Sequence, residues 1–502
     1  MKPMTRKTPS RRFRGLWLLP LFLFAFLRGA CVTTTNEPDL RTQSFRYYLG
    51  IGGNAPAKEH LLRIINGAQT EVVAVFNDLA DTDVSSALIA RANAGLKVGV
   101  AGDRRNIASA GFAALIAQRP AMFQDYFAAT AAANAEPNPN LKNNILRTRL
   151  NFNRLNRSLK FNASSYDGRV EYNFVVADKY NCWVSTGGAN GATFSTGVSI
   201  VLVFQSFDIC NDFYNEAQQL VYGGLFGDEG VPSFGKFRNN KTITDPNTRF
   251  RLGDLIFNIY FAPQERPLTP VITELFRAEK SIRFAARALT QDVINDVATH
   301  NANRSHLLNV FQYKARIPQL YGQAFSIQGV VGTEVDTNPS PLSSPYSGSV
   351  AYNALVAGTC PTVNSGTIAL PFLDQNNAPT SQNVTNVTSI HCDLAALQTS
   401  VNDTATFAVR KYPGALPFNT FLVDHNWRKP RAIIMSSDLR KRYYYDDGGS
   451  QDAEPKRTRD DFYHITDAFV IIIEPAGSES NLKIFNDLNQ MITTLYNAGG
   501  SL

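Results

Sequence analysis

Two apolar stretches carry the groups that could do chemistry. One is Glu171-Tyr172-Asn173-Phe174-Val175-Val176-Ala177-Asp178, and the other is Pro417-Phe418-Asn419-Thr420-Phe421-Leu422-Val423-Asp424. Carboxylates held on a rigid strand suit proton transfer or nucleophilic attack, and amides suit hydrogen bonding to a polar ligand. A carboxylate nucleophile usually needs a cation or metal beside it, and none is evident nearby in sequence. His425 directly follows Asp424. Neighbouring strand residues point to opposite faces, so its ring is expected away from whatever Asp424 serves. His464 precedes Thr466-Asp467, while His60, His300, His306 and His391 stand outside any pattern. No Cys-x-x-Cys pair is present, which argues against structural zinc, and no metal or other cofactor is expected.

Each stretch lies in a repeated unit. The first contains a short amphipathic helix, Leu61 to Ala68, then the buried-strand pattern Glu71-Val72-Val73-Ala74-Val75-Phe76. Asp81-Thr82-Asp83 is an N-cap signal for a helix over Val84 to Ala94, which Gly95 stops before the strand Leu96-Lys97-Val98-Gly99-Val100. The second unit begins at Tyr260-Phe261-Ala262-Pro263. It runs through a helix from Val271 to Ala278 and the strand Ser281-Ile282-Arg283-Phe284-Ala285, with Thr290-Gln291-Asp292 before another helix. This alternation predicts an α/β protein of two similar half-domains, each a mixed, mostly parallel sheet flanked by helices. The expected organisation is a first repeat over 45–228, a linker over 229–256, and a second repeat over 257–502. An insertion at 333–406, rich in Asn, Ser, Thr and Pro, interrupts the second repeat. Residues 118–161 interrupt the first and carry Arg147, Arg149, Arg154 and Arg157, read as a solvated helix face.

The frame resembles the phospholipase D superfamily, whose motif is His-x-Lys-x4-Asp on a strand, followed by Gly-Ser-x-Asn nine residues beyond the aspartate. Asp178, Gly187 and Asn190 fall at those spacings, and Asn211 to Ala217 is similar to that family's closing helix. The resemblance implies a pseudo-twofold pairing of half-domains with one site between them. It also implies covalent catalysis in which one histidine attacks phosphorus, the other protonates the leaving alcohol, and two lysines neutralise the phosphate. The chain departs from that pattern at the groups doing the chemistry. Glu171 and Asn173 stand where the first histidine and lysine would be, and Pro417 and Asn419 where the second pair would be. Asp178 and Asp424 are retained, and Asp438 or Leu439 replaces the second asparagine. Loss of a covalent nucleophile costs on the order of 10⁶ in rate. A catalytic role is therefore expected of none of Glu171, Asn173, Asp178, Asn190, Pro417, Asn419 or Asp424, with His425 as the remaining candidate. The aspartates are expected to hold the strand-to-turn frame by accepting hydrogen bonds, with Glu171 and Pro417 facing each other across the interface.

The N-terminus points to export. Lys2, Arg6, Lys7, Arg11, Arg12, Arg14 and Arg28 precede Cys31 without an acid. Between them Leu16 to Leu27 is uncharged, the shape of a secretory signal. Leu27-Arg28-Gly29-Ala30-Cys31 is similar to a bacterial lipoprotein box, so a signal over 1–30, lipidation at Cys31 and a tether over 31–44 are expected. The whole-chain charge of +7 equals those seven cations, so the remainder is neutral and charge gives no argument for nucleic acid. Cys182, Cys210, Cys360 and Cys392 are an even set that permits two disulfides in an oxidising compartment, with Cys182–Cys210 and Cys360–Cys392 as the expected pairs. Arg428, Lys429 and Arg431, with Arg440 to Tyr445, form a basic–aromatic region expected near the mouth of the cleft. The expectation for function is a binding or scaffold protein, lipid-anchored at a bacterial envelope, with a phosphodiester ligand and an unidentified protein partner. The alternative is a divergent phosphodiesterase acting on phospholipid or nucleic acid.

Overall fold

The computed structural model describes residues 43–103, 106–118, 157–161, 170–223, 241–287, 306–332, 367–373, 379–385, 406–436, 467–477 and 482–501, less a few single positions. Cys31, Cys360, Cys392, His464, Asp438 and the basic run 440–445 lie outside the described residues. Residues 43–502 form one compact unit.

Strands β1 (Ser44–Ile51), β2 (Glu71–Phe76), β3 (Lys97–Gly102), β4 (Arg157–Phe161), β5 (Asn173–Ala177), β6 (Asn181–Ser185) and β7 (Val198–Gln205) make the first sheet, in the order β1-β7-β6-β5-β2-β3-β4. The second sheet is built from β8 (Arg249–Leu252), β9 (Leu255–Phe261), β10 (Ser281–Ala286) and β11 (Ser326–Val331). It is completed by β14 (Phe407–Lys411), β15 (Asn419–Val423), β16 (Arg431–Met435) and β17 (Phe469–Pro475). Its order is β14-β11-β10-β15-β16-β17-β9-β8, which, apart from β8, is the first sheet's order read backwards. A hairpin of β12 (Thr367–Leu373) and β13 (Pro379–Thr385) stands apart within the insertion.

Pairing repeats as well as order. β2 pairs β3 and β3 pairs β4 in parallel, as β10 pairs β11 and β11 pairs β14. Every other neighbour contact in the two sheets is antiparallel. The sheets are therefore mixed. In the first, β1, β2, β3, β4 and β6 run one way and β5 and β7 the other, so most strands share a direction although most neighbours do not. The second sheet takes in Arg249–Leu252 and begins β9 at Leu255, inside the stretch 229–256 read as a linker.

The described helices are α1 (Ala55–Gly67), α2 (Thr82–Asn93), α3 (Ala110–Ala117), α4 (Phe207–Val221), α5 (Leu268–Phe276), α6 (His306–Ala315), α7 (Ile317–Tyr321) and α8 (Lys483–Ala498). The Asp81 carboxylate caps α2 by accepting from the Asp83 and Val84 N–H groups at 3.0 and 3.2 Å. Gly95 closes that helix at φ +92°, a backbone region that favours glycine.

Strand alternation decides where the core lies. Tyr172, Phe174 and Val176 of the first half share one cluster with Leu416, Phe418 and Leu422 of the second. Phe213 on α4 packs edge-on against Phe261 at 5.1 Å and near Phe469 at 6.2 Å, both from the second half. Each fully buried large apolar side chain is worth about 2 kcal/mol, so the shared core holds the halves as one body. Val175 and Ala177 turn outward to a cluster with α1 and α2, as Phe421 and Val423 do to one with α5 and α6. Cys182 on β6 and Cys210 on α4 are disulfide-bonded with Cα atoms 5.4 Å apart, pinning the helix to its sheet.

Candidate functional site

The two retained aspartates occupy equivalent positions to the level of single hydrogen bonds. Asp178 and Asp424 both follow a central antiparallel strand and both adopt φ +52°, a left-handed conformation that Asp tolerates. The Asp178 carboxylate accepts from the N–H groups of Gln69, Thr70 and Glu71 at 2.8, 2.8 and 3.0 Å, and from the Thr70 hydroxyl at 2.7 Å. That of Asp424 accepts from the N–H groups of Glu279, Lys280 and Ser281 at 2.8, 2.7 and 3.0 Å. Each aspartate thus clamps the turn that feeds β2 or β10. Burial pushes the Asp178 carboxyl up, but the bonds from Thr70, Gln69 and Glu71 outweigh it and hold the group below its ordinary value.

The opposite ends of the same strands carry the motif positions. Asn77, just past β2, donates its N–H to the Tyr172 carbonyl at 2.8 Å and to Asn173 Oδ1 at 2.9 Å. Arg287, just past β10, donates its N–H to the Phe418 carbonyl and to Asn419 Oδ1, both at 2.8 Å. Asn173 and Asn419 are buried and spend their amide oxygens on backbone. At both places a short amide is held by backbone of the neighbouring strand end. Asn419 Nδ2 is buried without a hydrogen-bond partner.

Glu171 is also buried. Its carboxylate lies 3.5 Å from the Arg287 guanidinium and accepts from Asn77 Nδ2 at 3.3 Å. A cation does therefore stand beside Glu171, contrary to what its sequence neighbours suggest, and it comes from the other half. Since Arg287 also bonds Phe418 and Asn419, the two motif segments meet at this residue. The Glu171 N–H donates to the Asp467 carbonyl at 2.8 Å, a second link between halves. Asn190 does not join them. Its Nδ2 donates to Asp78 at 2.8 Å and its Oδ1 accepts from the Thr193 N–H at 3.0 Å, which docks its loop onto residues 78–81.

His425 lies past the other end of β15 from Asn419, across a strand only about 13 Å long. It is half-buried, with Nδ1 buried and unpartnered, and burial beside Arg283 lowers its pKa. The strand separates it from Pro417 and Asn419. Arg428, Lys429 and Arg431 lie at this far end too, because β16 pairs Arg431 with Val423 and Met435 with Asn419. Arg428, Lys429 and Arg431 are thus away from the motif segments, while the 440–445 part of that basic–aromatic region lies outside the described residues.

Beneath the motif, Tyr172 enters a polar cluster within the shared core. Lys241 Nζ is fully buried and contacts Glu216, Asp467 Oδ1 at 3.1 Å, the Tyr172 hydroxyl at 3.1 Å and the Ala262 carbonyl at 3.0 Å. The Tyr172 hydroxyl donates to Glu216 at 2.7 Å. One lysine from the inter-repeat segment thereby joins α4, the first motif strand and the start of β17. Burial pushes Glu216 up against the pull of Lys241. Asp212 is raised to about 9 by burial and by Glu265, Asp245 and Glu216, and Glu265 to about 7 by burial foremost. Among the described residues no group of His, Cys, Asp and Glu is arranged to hold a metal ion.

These raised acids have a consequence with a definite sign. Between the ordinary carboxyl range and pH 9 the folded chain holds a proton on Asp212 that the unfolded chain has released, so stability falls as pH rises through that window. Asp212→Asn is expected to flatten the decline and to raise stability at pH 8. Urea unfolding at several pH values checks this.

No family model and no curated protein matches the chain. Similar solved structures include phosphatidylserine synthase from Haemophilus influenzae Rd KW20, at 9% identity over 92% of this chain and 90% of that one, TM-score 0.49. A polyphosphate kinase from Porphyromonas gingivalis matches at 12% identity over 90% of this chain and 50% of that one, TM-score 0.40. NUC, a phospholipase D family member from Salmonella typhimurium, matches at 14% identity over 37% of this chain and 97% of that one, TM-score 0.25. These likenesses concern fold.

Proposed function

We propose that this phospholipase D-like chain is a non-catalytic binding or scaffold protein, exported and lipid-anchored through Cys31 at a bacterial envelope. The observation that carries the reading is the use made of the motif positions. Both asparagines are buried and bonded to backbone, Pro417 offers no nucleophile or proton donor, and Glu171 is engaged by Arg287 and Asn77. A covalent phosphoryl mechanism needs a free nucleophile and a proton donor at those places. The Cys182–Cys210 disulfide supports an oxidising compartment, in keeping with the basic and apolar N-terminal segment.

The test is hydrolysis by the purified protein of phosphatidylcholine, cardiolipin, single-stranded DNA and a small diester reporter. No turnover above background is expected with any of them. A trapped phosphoenzyme, or turnover abolished by Glu171→Gln or His425→Ala, would overturn the reading in favour of a divergent phosphodiesterase.

A further inference from the structure

The repeat provides an internal control for what the fold requires at each aspartate. The turn held by Asp178 is Asn66-Gly67-Ala68-Gln69-Thr70, and the equivalent turn held by Asp424 is Phe276-Arg277-Ala278-Glu279-Lys280. The first turn satisfies its carboxylate with three backbone N–H groups and the Thr70 hydroxyl, the second with three backbone N–H groups alone. The side chains of the second turn are therefore free of that duty, and they differ in kind. Phe276 is 44% exposed where the first half has Asn66, and its ring lies 6.3 Å from that of Tyr313 on α6, itself 47% exposed. Lys280 is exposed where the first half has Thr70.

Trp427, in the β15–β16 turn, is 38% exposed. Its indole N–H donates to Glu279 at 2.7 Å, and Lys280 Nζ and Arg428 Cζ lie 5.1 and 5.4 Å from its ring centroid. Lys429 is exposed beside them. Three aromatic rings and a surplus of cations at one pole exceed what a solvated turn needs. Aromatic rings flanked by lysine and arginine match the headgroup region of a bilayer, where the ring sits at the apolar boundary and the cations meet phosphates.

We propose that the Asp424 pole of the second half, built around Phe276, Tyr313 and Trp427 with Lys280, Arg428 and Lys429, docks on an anionic phospholipid surface. This rests on the reading of the chain as membrane-attached and adds an orientation to it. With Trp427 at the bilayer, the motif end of β15 lies at the far end of that strand from the lipid. Charge complementarity selects the occupant: among the described residues Lys280, Arg428 and Lys429 are exposed, while Glu279 is bonded to the indole and the buried Asp424 carboxylate is spent on backbone N–H groups. The lipid proposed at Cys31 supplies a second membrane signal in the same chain, and stable attachment generally takes two.

The experiment uses the lipidated chain from Cys31 onward, from which Trp17 is removed with the signal. The chain has three tryptophans, of which Trp183 is fully buried, so quenching by brominated acyl chains then reports Trp427. Vesicles of phosphatidylcholine alone are compared with phosphatidylcholine mixed with phosphatidylglycerol. Quenching is expected only on the mixed vesicles, and Lys280→Glu with Arg428→Glu is expected to weaken their binding by tenfold or more, roughly the scale of removing two surface cations. Binding to both vesicle types with Trp427 unquenched would overturn the docking while leaving N-terminal attachment intact. Failure to bind either would overturn both, and capture by single-stranded DNA without vesicle binding would assign the pole to nucleic acid instead.

Discussion

Asp424→Ala is expected to lower folding stability by about 3–5 kcal/mol, because three backbone N–H groups lose a charged acceptor and a non-glycine residue stays at positive φ. The carboxylate is buried, so water cannot replace it in the native frame. Asp424→Asn keeps one acceptor and tolerates the left-handed backbone, so it should lose less than half as much. Asp178→Ala should fall between them, since that carboxylate is only partly buried and solvent can enter. The Asp178 pKa is held down in the folded chain, so its contribution is complete above the ordinary aspartate range and lost as pH falls through the lowered value. Denaturant unfolding of the three variants, at neutral pH and at pH 3 to 4, checks both the order and the sign. Equal and negligible losses would mean that the clamps are not structural.

The other large effect is expected at Lys241. Replacing it by Met leaves Glu216 and Asp467 buried without their shared cation, a loss of roughly 3–5 kcal/mol by analogy with breaking any buried ion pair from one side. The carboxyls can escape part of that cost by taking up protons. In the variant the loss should therefore be greatest at alkaline pH and shrink as pH falls. Lys241→Met combined with Glu216→Gln and Asp467→Asn removes the orphaned charges together and should recover most of the stability. Because Lys241 contacts elements of both halves inside one core, the single variant should still unfold in one transition, at lower denaturant. A variant that instead melts in two steps would show that the halves are stabilised separately.

Much of this molecule is decided locally along the chain. The Asp81 cap, the Gly95 stop and the apolar run Glu71–Phe76 depend on residues within a few positions, so helix α2 and its flanking strands could be placed from sequence. The repeat was legible for the same reason, and the strands that begin at Asn173 and Asn419 hold equivalent places in the two sheets. The pairing directions were not, because parallel and antiparallel neighbours read alike within a buried strand.

What only tertiary structure decided are the long-range partners. Arg287 lies 116 positions from Glu171 and precedes a stretch with no motif, so no local pattern links the two; the repeated sheet places them together across the halves. Lys241 sits in a segment read as a linker, where a lysine is ordinarily a solvated charge. It is buried because α4, Tyr172 and Asp467 converge there and leave acids that need a cation. Arg428, Lys429 and Arg431 were expected near the mouth of the cleft, yet β15 carries Asn419 and the β15–β16 turn to opposite ends of the sheet. Sequence specifies which groups each strand carries, and the sheet's register specifies which of them can meet.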